Sequence, residues 1–338
     1  MRYKLSAPAT LHTTIQLPAS KSISNRALIL HALAQGHIAP SNLSDCDDTR
    51  VMIKALDGNP GHIDILAAGT AMRFLTAYLS VAPGTRIITG TERMQQRPIR
   101  ILVDALRELG AQIEYAGKEG FPPLRITGTE LTGEEISLAG NVSSQYISAL
   151  LMIGPILKNG LRLNLTGEII SRPYINLTLQ LMKEFGADAA WSSESSITVR
   201  PGKYRDIPFT VESDWSGASY WYQMVALIQD NEKKESTKTE IKLPGLLPRS
   251  YQGDSRGAEI FAKLGVHTTY TDQGVVLTKM GTPVTCLKED LVDIPDLAQT
   301  FVVTCCLMNI PFRFTGLQSL KIKETDRIQA LITELNKL

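Results

Sequence analysis

Two kinds of helical pattern alternate along the chain. The first is amphipathic and stops on glycine. "VDALRELGAQIEY" from Val103, "LQLMKEFGADAAW" from Leu179 and "AEIFAKLGVHTTY" from Ala258 repeat apolar residues at helical spacing. Gly110, Gly186 and Gly265 then fall where a helix end favours a residue that tolerates positive φ, and a short strand pattern follows each. "IQALITELNKL" from Ile328 begins a fourth copy. The second kind is more apolar throughout: "SNRALILHALA" from Ser24, "GTAMRFLTAYL" from Gly69, "SSQYISALLMI" from Ser143, "SGASYWYQMVALI" from Ser216 and "PDLAQTFVVTCCLM" from Pro295. That is the pattern of the buried partner in a helix pair. "DDTRVMIKALDG" from Asp47 completes the first pair.

The chain thus reads as about five two-helix units. Short β-rich runs such as "RIITG", "PLRITG", "LRLNLTG", "ITVRPG" and "GVVLTK" separate them. The polar stretch 229–240, "QDNEKKESTKTE", has no periodicity and reads as a solvated loop. A composition shift at 208–213 marks a crossing between domains, with three units before it and two after. The expected boundaries are 20–212 for one domain and 1–19 with 213–338 for the other. If the domains are alike, the second lacks one unit.

Composition narrows the function. With 338 residues, 43% hydrophobic and 20% charged, the chain has the balance of an ordinary globular protein of two domains. A net charge of +1 gives no general pull toward nucleic acid or an anionic membrane, so any basic site is local. "MRYKLSAPATL" lacks the apolar centre of a signal peptide, and the nearly apolar run 301–310 is too short to span a bilayer. Cys46, Cys286, Cys305 and Cys306 form no Cys-x-x-Cys pair, and Cys305 and Cys306 read as core. The five histidines show no metal-ligand spacing. The expectation is a reduced, metal-free cytosolic protein.

Local charge changes the picture. Lys21 and Arg26 stand at the start of the "SKSISNRALIL" helix, with Ser22, Ser24 and Asn25 as capping types. Arg73 follows "AAGT", Arg97 opens "RPIRILVDAL", Arg172 opens "RPYINLTLQL" and Arg327 enters the last helix. Pro98 and Pro173 suit a first helical turn. A helix start is electrically positive, so each unanswered cation there costs about 0.3–1 kcal/mol. Gly69, Thr70, Ser143, Ser144, Gln145, Ser171 and Tyr174 lie at the same starts. Two readings stand: caps and water-facing cations, or a set of ligands for anions at converging helix heads. Asp296 at the head of an apolar helix is a cap or an acid–base group. Lys323 and Glu324, beside Arg327, are a surface ion pair or a proton-transfer pair.

Seven motifs carry a resemblance over the whole chain: "PASKSISNRALILHALA", "AAGTAMRF", "ERMQQRPI", "VSSQYISALL", "SRPYINLT", "IPDLAQT" and "KIKETDRI". In type and order the sequence resembles the 5-enolpyruvylshikimate-3-phosphate synthase family. The resemblance implies an α/β (α+β) fold of two similar domains, each of three βαβαββ units, closing over the ligands, with the second incomplete here. It implies transfer of the enolpyruvyl group of phosphoenolpyruvate to the 5-hydroxyl of shikimate 3-phosphate, releasing phosphate, with no cofactor, by a cytoplasmic monomer.

Carried over by matching position, Lys21, Ser22, Arg26, Ser143, Ser144, Gln145, Ser171, Tyr174, Asp296, Ser319 and Lys323 would hold shikimate 3-phosphate. Lys21, Gly69, Arg97, Gln145 and Arg327 would hold phosphoenolpyruvate. Asp296, Glu324 and Lys21 would move the protons. The sequence departs from the family at Ala67, where an Asn is usual, at Ser319, where some members have Asn, and in Arg172-Pro173-Tyr174 for Lys-Pro-Tyr. It also ends where members continue into another unit with an Asp-His-Arg segment and a late Lys. The expectation is therefore little turnover from the 338-residue form. One alternative is a non-catalytic shikimate-3-phosphate-binding fragment. Another is a UDP-N-acetylglucosamine enolpyruvyl transferase, although none of the cysteines falls in "GTERMQQRP", where that enzyme has its reactive thiol.

Overall fold

The computed structural model describes residues 4, 11–58, 60–170, 172–228, 239–322 and 325–337. Its contacts divide the chain into one unit of Ala19–Val211 and another of Met1–Pro18 with Glu212–Leu338. Strand β1 (His12–Thr14) belongs to the second unit.

The first unit opens with α1 (Lys21–Leu33) and α2 (Asp47–Leu56). Then come β2 (His62–Asp64), α3 (Gly69–Val81), β3 (Gly84–Thr89), the single turn α4 (Glu92–Gln95), α5 (Arg100–Glu108), β4 (Gln112–Tyr115) and β5 (Leu124–Gly128). The plan repeats as β6 (Glu135–Ala139), α6 (Ser144–Ile153), β7 (Leu161–Thr166), α7 (Arg172–Glu184), β8 (Ala189–Trp191) and β9 (Ser196–Val199). The sheets order as β2-β3-β5-β4 and β6-β7-β9-β8. In each, the first pair is parallel and the other two pairs are antiparallel. A parallel pair needs a helical crossover and an antiparallel pair only a turn, so each sheet is one βαβαββ unit. Helices α1 and α2 carry no such sheet among the described residues. A single parallel bridge, Ser41 to Thr210, is their β component.

The second unit adds α8 (Trp215–Leu227), β10 (Glu240–Pro244), α9 (Gly257–Lys263), β11 (Val266–Thr271) and β12 (Gly274–Lys279). With β1 they form the sheet β1-β10-β12-β11, so the polar stretch that reads as loop ends in a strand at Glu240. Residues 229–238 of that stretch lie outside the described residues. The unit continues as β13 (Leu287–Asp290), α10 (Ala298–Leu307), β14 (Phe312–Thr315) and α11 (Arg327–Leu335), with β13 and β14 parallel in a two-stranded sheet.

Local chemistry explains the repetition. Gly110, Gly186 and Gly265 end α5, α7 and α9 at φ of 102°, 87° and 83°, conformations that an L side chain resists. Strands β5 and β7 alternate buried and outward positions at their starts, burying Leu124, Ile126, Leu161, Leu163 and Leu165. The core of the second unit runs through Trp215, Tyr222, Phe261, Phe301 and Phe314, with successive ring centroids 6.5, 5.2, 4.9 and 6.2 Å apart. Tyr220 and Met224 of α8, Leu307 of α10 and Ile332 of α11 stay exposed.

Three local expectations need correction. Helix α1 is capped by Ser20, whose side chain accepts from the Ile23 N–H, so Ser22 falls in its first turn and Ser24 and Asn25 lie further inside the helix. Both are buried there: Ser24 Oγ accepts from the Ser44 N–H at 2.9 Å and Asn25 Oδ1 from Thr49 Oγ1 at 2.8 Å. Arg97 and Pro98 lie ahead of α5, which begins at Arg100. Cys305 is buried, but Cys306 faces outward, because adjacent helical positions point about 100° apart. Among the described residues, no helix is long and apolar enough to cross a membrane.

Candidate active site

In the first unit, the starts of α1, α3, α6 and α7 come together. Lys21 is the first residue of α1 and is exposed, while Ser22 is half-buried. One turn on, Arg26 is only 3% exposed. Its Nε donates to Thr178 Oγ1 at 2.7 Å and its Nη1 to the Ser22 carbonyl at 2.9 Å. Its Nη2 donates to Ser148 Oγ at 3.1 Å and to the Tyr174 carbonyl at 3.4 Å. These bonds tie the first turn of α1 to α6 and α7. Burial lowers the Arg26 pKa to about 10, which leaves the side chain a cation at neutral pH. Ser148 and Thr178 were not legible as partners. Their only signal was a polar residue within an otherwise apolar helical stretch, "SALLMI" and "INLTLQL".

The start of α3 holds a second cationic cluster. Arg73 is 5% exposed and its Nη1 donates to the Gly69 carbonyl at 2.9 Å. A Cβ placed on Gly69 would lie 2.6 Å from Arg97 Nη1 and 3.0 Å from Arg73 Nη1. Position 69 is therefore backbone alone, with a guanidinium group from each of two arginines beside it. Like charges held this closely repel unless an anion answers them. Gln145 joins this cluster by donating from Nε2 to Thr70 Oγ1 at 3.1 Å. Ser143 caps α6, its Oγ accepting from the Gln145 N–H at 3.3 Å, and Ser144 follows as the first helical residue. Tyr146 pins the segment after Arg97 by donating from its hydroxyl to the Pro98 carbonyl at 2.7 Å.

Helix α7 behaves differently. Its first residue, Arg172, donates from Nη2 to the Glu194 carbonyl at 2.7 Å and lies 4.2 Å from the Trp191 ring centroid. Trp191 is fixed in turn by donating from Nε1 to Asn176 Oδ1 at 2.8 Å. Arg172 thus engages the β8–β9 hairpin. Tyr174 is half-buried two residues on, and Ser171 lies outside the described residues.

In the second unit, Asp296 sits in the 3-10 turn Pro295–Leu297 ahead of α10. Its Oδ1 accepts from Arg327 Nη1 at 3.0 Å, and Asp326 caps α11 by accepting from the Gln329 N–H at 3.0 Å. Arg327 lines a cavity of about 400 Å³ with Tyr220, Gln299, Ala330, Leu331 and Glu334. Ser319 is half-buried in the 3-10 turn Gln318–Ile322. Lys323 and Glu324 lie outside the described residues.

The strand order and crossovers define the enolpyruvyl transferase fold. An EPSP synthase from Acinetobacter baumannii aligns with 97% of the chain and 78% of its own length at a TM-score of 0.74 and 20% identity. A second structure of that organism's EPSP synthase gives a TM-score of 0.59 at 16% identity, over 97% of this chain and 96% of that one. Those likenesses concern the fold; sequence narrows the class. The chain belongs to the EPSP synthase (3-phosphoshikimate 1-carboxyvinyltransferase) family, which it matches over residues 5–58 and 59–338. The 3-phosphoshikimate 1-carboxyvinyltransferase of Bacteroides fragilis is 72% identical over 338 residues, covering all of this chain and 80% of the relative. The Shewanella pealeana protein of the same name is 36% identical over 353 residues, covering 96% of this chain and 80% of that one.

Proposed function

We propose that the chain transfers the enolpyruvyl group of phosphoenolpyruvate to the 5-hydroxyl of shikimate 3-phosphate, releasing phosphate, in the cytoplasmic route to aromatic amino acids. The observation that carries this reading is the approach of the Arg73 and Arg97 guanidinium groups at Gly69 in a chain of this family. Both substrates are phosphorylated or carboxylated anions, and fixed cations beside bare backbone suit such groups.

In this reading Lys21, Gly69, Arg97, Gln145 and Arg327 take phosphoenolpyruvate. Lys21, Ser22, Arg26, Ser143, Ser144, Gln145, Ser171, Tyr174, Asp296, Ser319 and Lys323 take shikimate 3-phosphate. Addition of a hydroxyl to the enol phosphate carbon of phosphoenolpyruvate needs a base at the hydroxyl and an acid at the methylene carbon. Asp296 and Glu324 are assigned to this proton transfer, with Lys21 assisting. The tetrahedral adduct then loses a proton from its new methyl group as phosphate leaves, which restores the methylene double bond, and the fixed cations stabilise the charge on the departing phosphate.

The test mixes the chain with phosphoenolpyruvate and either shikimate 3-phosphate or UDP-N-acetylglucosamine, and measures phosphate. Release with shikimate 3-phosphate alone supports the reading, and release with the UDP-sugar alone replaces it.

A further inference from the structure

Arg26 is held along its edge, and its Cζ lies over the ring of Phe74. Phe74 lies on α3 with 0% exposure, and the Arg26 Cζ stands 5.2 Å from the centre of its ring. Four guanidinium N–H groups are engaged by Thr178, Ser22, Ser148 and Tyr174. A guanidinium carries five, so among the described residues one Nη1 hydrogen is left. The four acceptors come from α1, α6 and α7, whereas the ring comes from α3. Phe74 is thus the contact that the remaining helix makes with the Arg26 guanidinium. An aromatic face attracts a cation most strongly when both are out of water, as here. An aliphatic side chain of similar size would fill the space without offering a negative face.

We infer that Phe74 is a positioning residue for substrate binding: its ring fixes the Arg26 plane so that the remaining Nη1 hydrogen is preset for an oxygen of shikimate 3-phosphate. This inference rests on the reading of Arg26 under Proposed function. It makes Arg26 a single donor set in place before the ligand arrives, rather than a mobile arm that closes on phosphate. Preset donors bind more tightly because less side-chain freedom is lost on association.

The test separates ring electrons from ring shape. Phe74→Leu opens a void in α3 packing, so a series with mono-, di- and trifluorinated phenylalanine at position 74 carries the experiment. Each fluorine draws charge from the ring face with little change in size. Calorimetry reads the Kd for shikimate 3-phosphate, and thermal melting is followed beside it. The inference predicts a Kd that rises stepwise, reaching roughly threefold to tenfold in the trifluorinated chain. It also predicts that the series goes flat in an Arg26→Lys background, because a lysine cannot bond all four acceptors or present a plane to the ring. A Kd unchanged across the series, whatever the melting temperature does, overturns the inference and leaves the functional reading intact. Equal steps in both backgrounds overturn it as well. A native chain that takes up no shikimate 3-phosphate overturns the reading and the inference together.

Discussion

Four helix starts of the first unit contrast with two of the second. In the second unit, Asp214 caps α8, its two oxygens accepting from the Ser216 and Gly217 N–H groups at 3.3 and 3.2 Å, and Asp326 caps α11. A carboxylate at a helix start is what the helix dipole favours. In the first unit, α1, α3, α6 and α7 have no acid in their first turns, and Lys21, Arg73 and Arg172 stand at three of them. The polar seams between helices differ in the same sense. The α1–α6–α7 seam is built on the charged Arg26. The α8–α10 seam is neutral: Ser219 and Thr300 hydroxyls lie 3.0 Å apart, and Gln223 donates to Thr304 Oγ1 at 3.1 Å. The starts of α1 and α3 thus gather cations where α8 and α11 have a capping carboxylate, and a cation at a helix start costs stability unless an anion answers it.

The largest expected effect lies in the seams. Arg26→Leu strands its acceptors and costs roughly 3 kcal/mol, whereas Gln223→Leu costs about 1 kcal/mol. Urea unfolding followed by 19F NMR with 5-fluorotryptophan, which gives Trp191 of the first unit and Trp215 of the second their own signals beside Trp221, reads the two separately. Equal costs would erase the contrast. Next comes Gly69→Ala. Its added methyl group displaces the Arg97 and Arg73 guanidinium ends, so affinity for phosphoenolpyruvate falls roughly tenfold or more. The helix itself loses nothing, since alanine suits a helix better than glycine, by up to about 1 kcal/mol at interior positions. Weaker binding with unchanged or higher melting temperature is the expected pair of results; a fall in melting temperature with binding intact would contradict it.

Much of this was legible in the sequence because it is local. The glycine that ends α5, α7 and α9 needs only its own φ, and the apolar spacing of α3 and α6 needs only their own turns. The identity of the cap was less legible: Ser20, Ser22 and Ser24 are all capping types, and the choice depends on where Ser44 and Thr49 return to bury Ser24 and Asn25. The start of α5 at Arg100 hangs on Tyr146 holding the Pro98 carbonyl from 48 residues away. The Arg26 clamp joins residues separated by 122 to 152 positions, beyond any local pattern. Arg172 had the same local signature as the other head cations, and only the fold brings Trp191 over it.

Smaller effects sharpen the comparison further. Asp214→Ala removes a cap that no first-unit carboxylate provides at α1, α3, α6 or α7, and costs the second unit about 1 kcal/mol by the Trp215 signal. The smallest effects are set by pH. Asp206 of the first unit has its pKa held below the usual 3.8, chiefly by the His37 N–H at 2.7 Å, with the Ile38 N–H and the His31 and His37 rings adding to it. A depressed acid stabilises the fold above its unfolded pKa and loses that support as pH falls through the folded value. Asp206→Asn is therefore expected to flatten the loss of stability below about pH 4. Glu212 of the second unit is raised above its usual 4.5 by burial, against the pull of its bond from Ser250. A raised acid opposes folding increasingly as pH climbs past its unfolded pKa. Glu212→Gln should raise stability at neutral pH and lose that gain near pH 4. The same sign in both variants would contradict the assignment.

The most direct test follows the arginine side-chain N–H signals by NMR while phosphoenolpyruvate is added in the presence of shikimate 3-phosphate. If the cations gathered at the start of α3 hold these anions, the Arg73 and Arg97 Nε–H resonances shift and saturate together, while Arg172, held on Trp191, stays where it is. Shifts of equal size at all three, or none at Arg97, would contradict it.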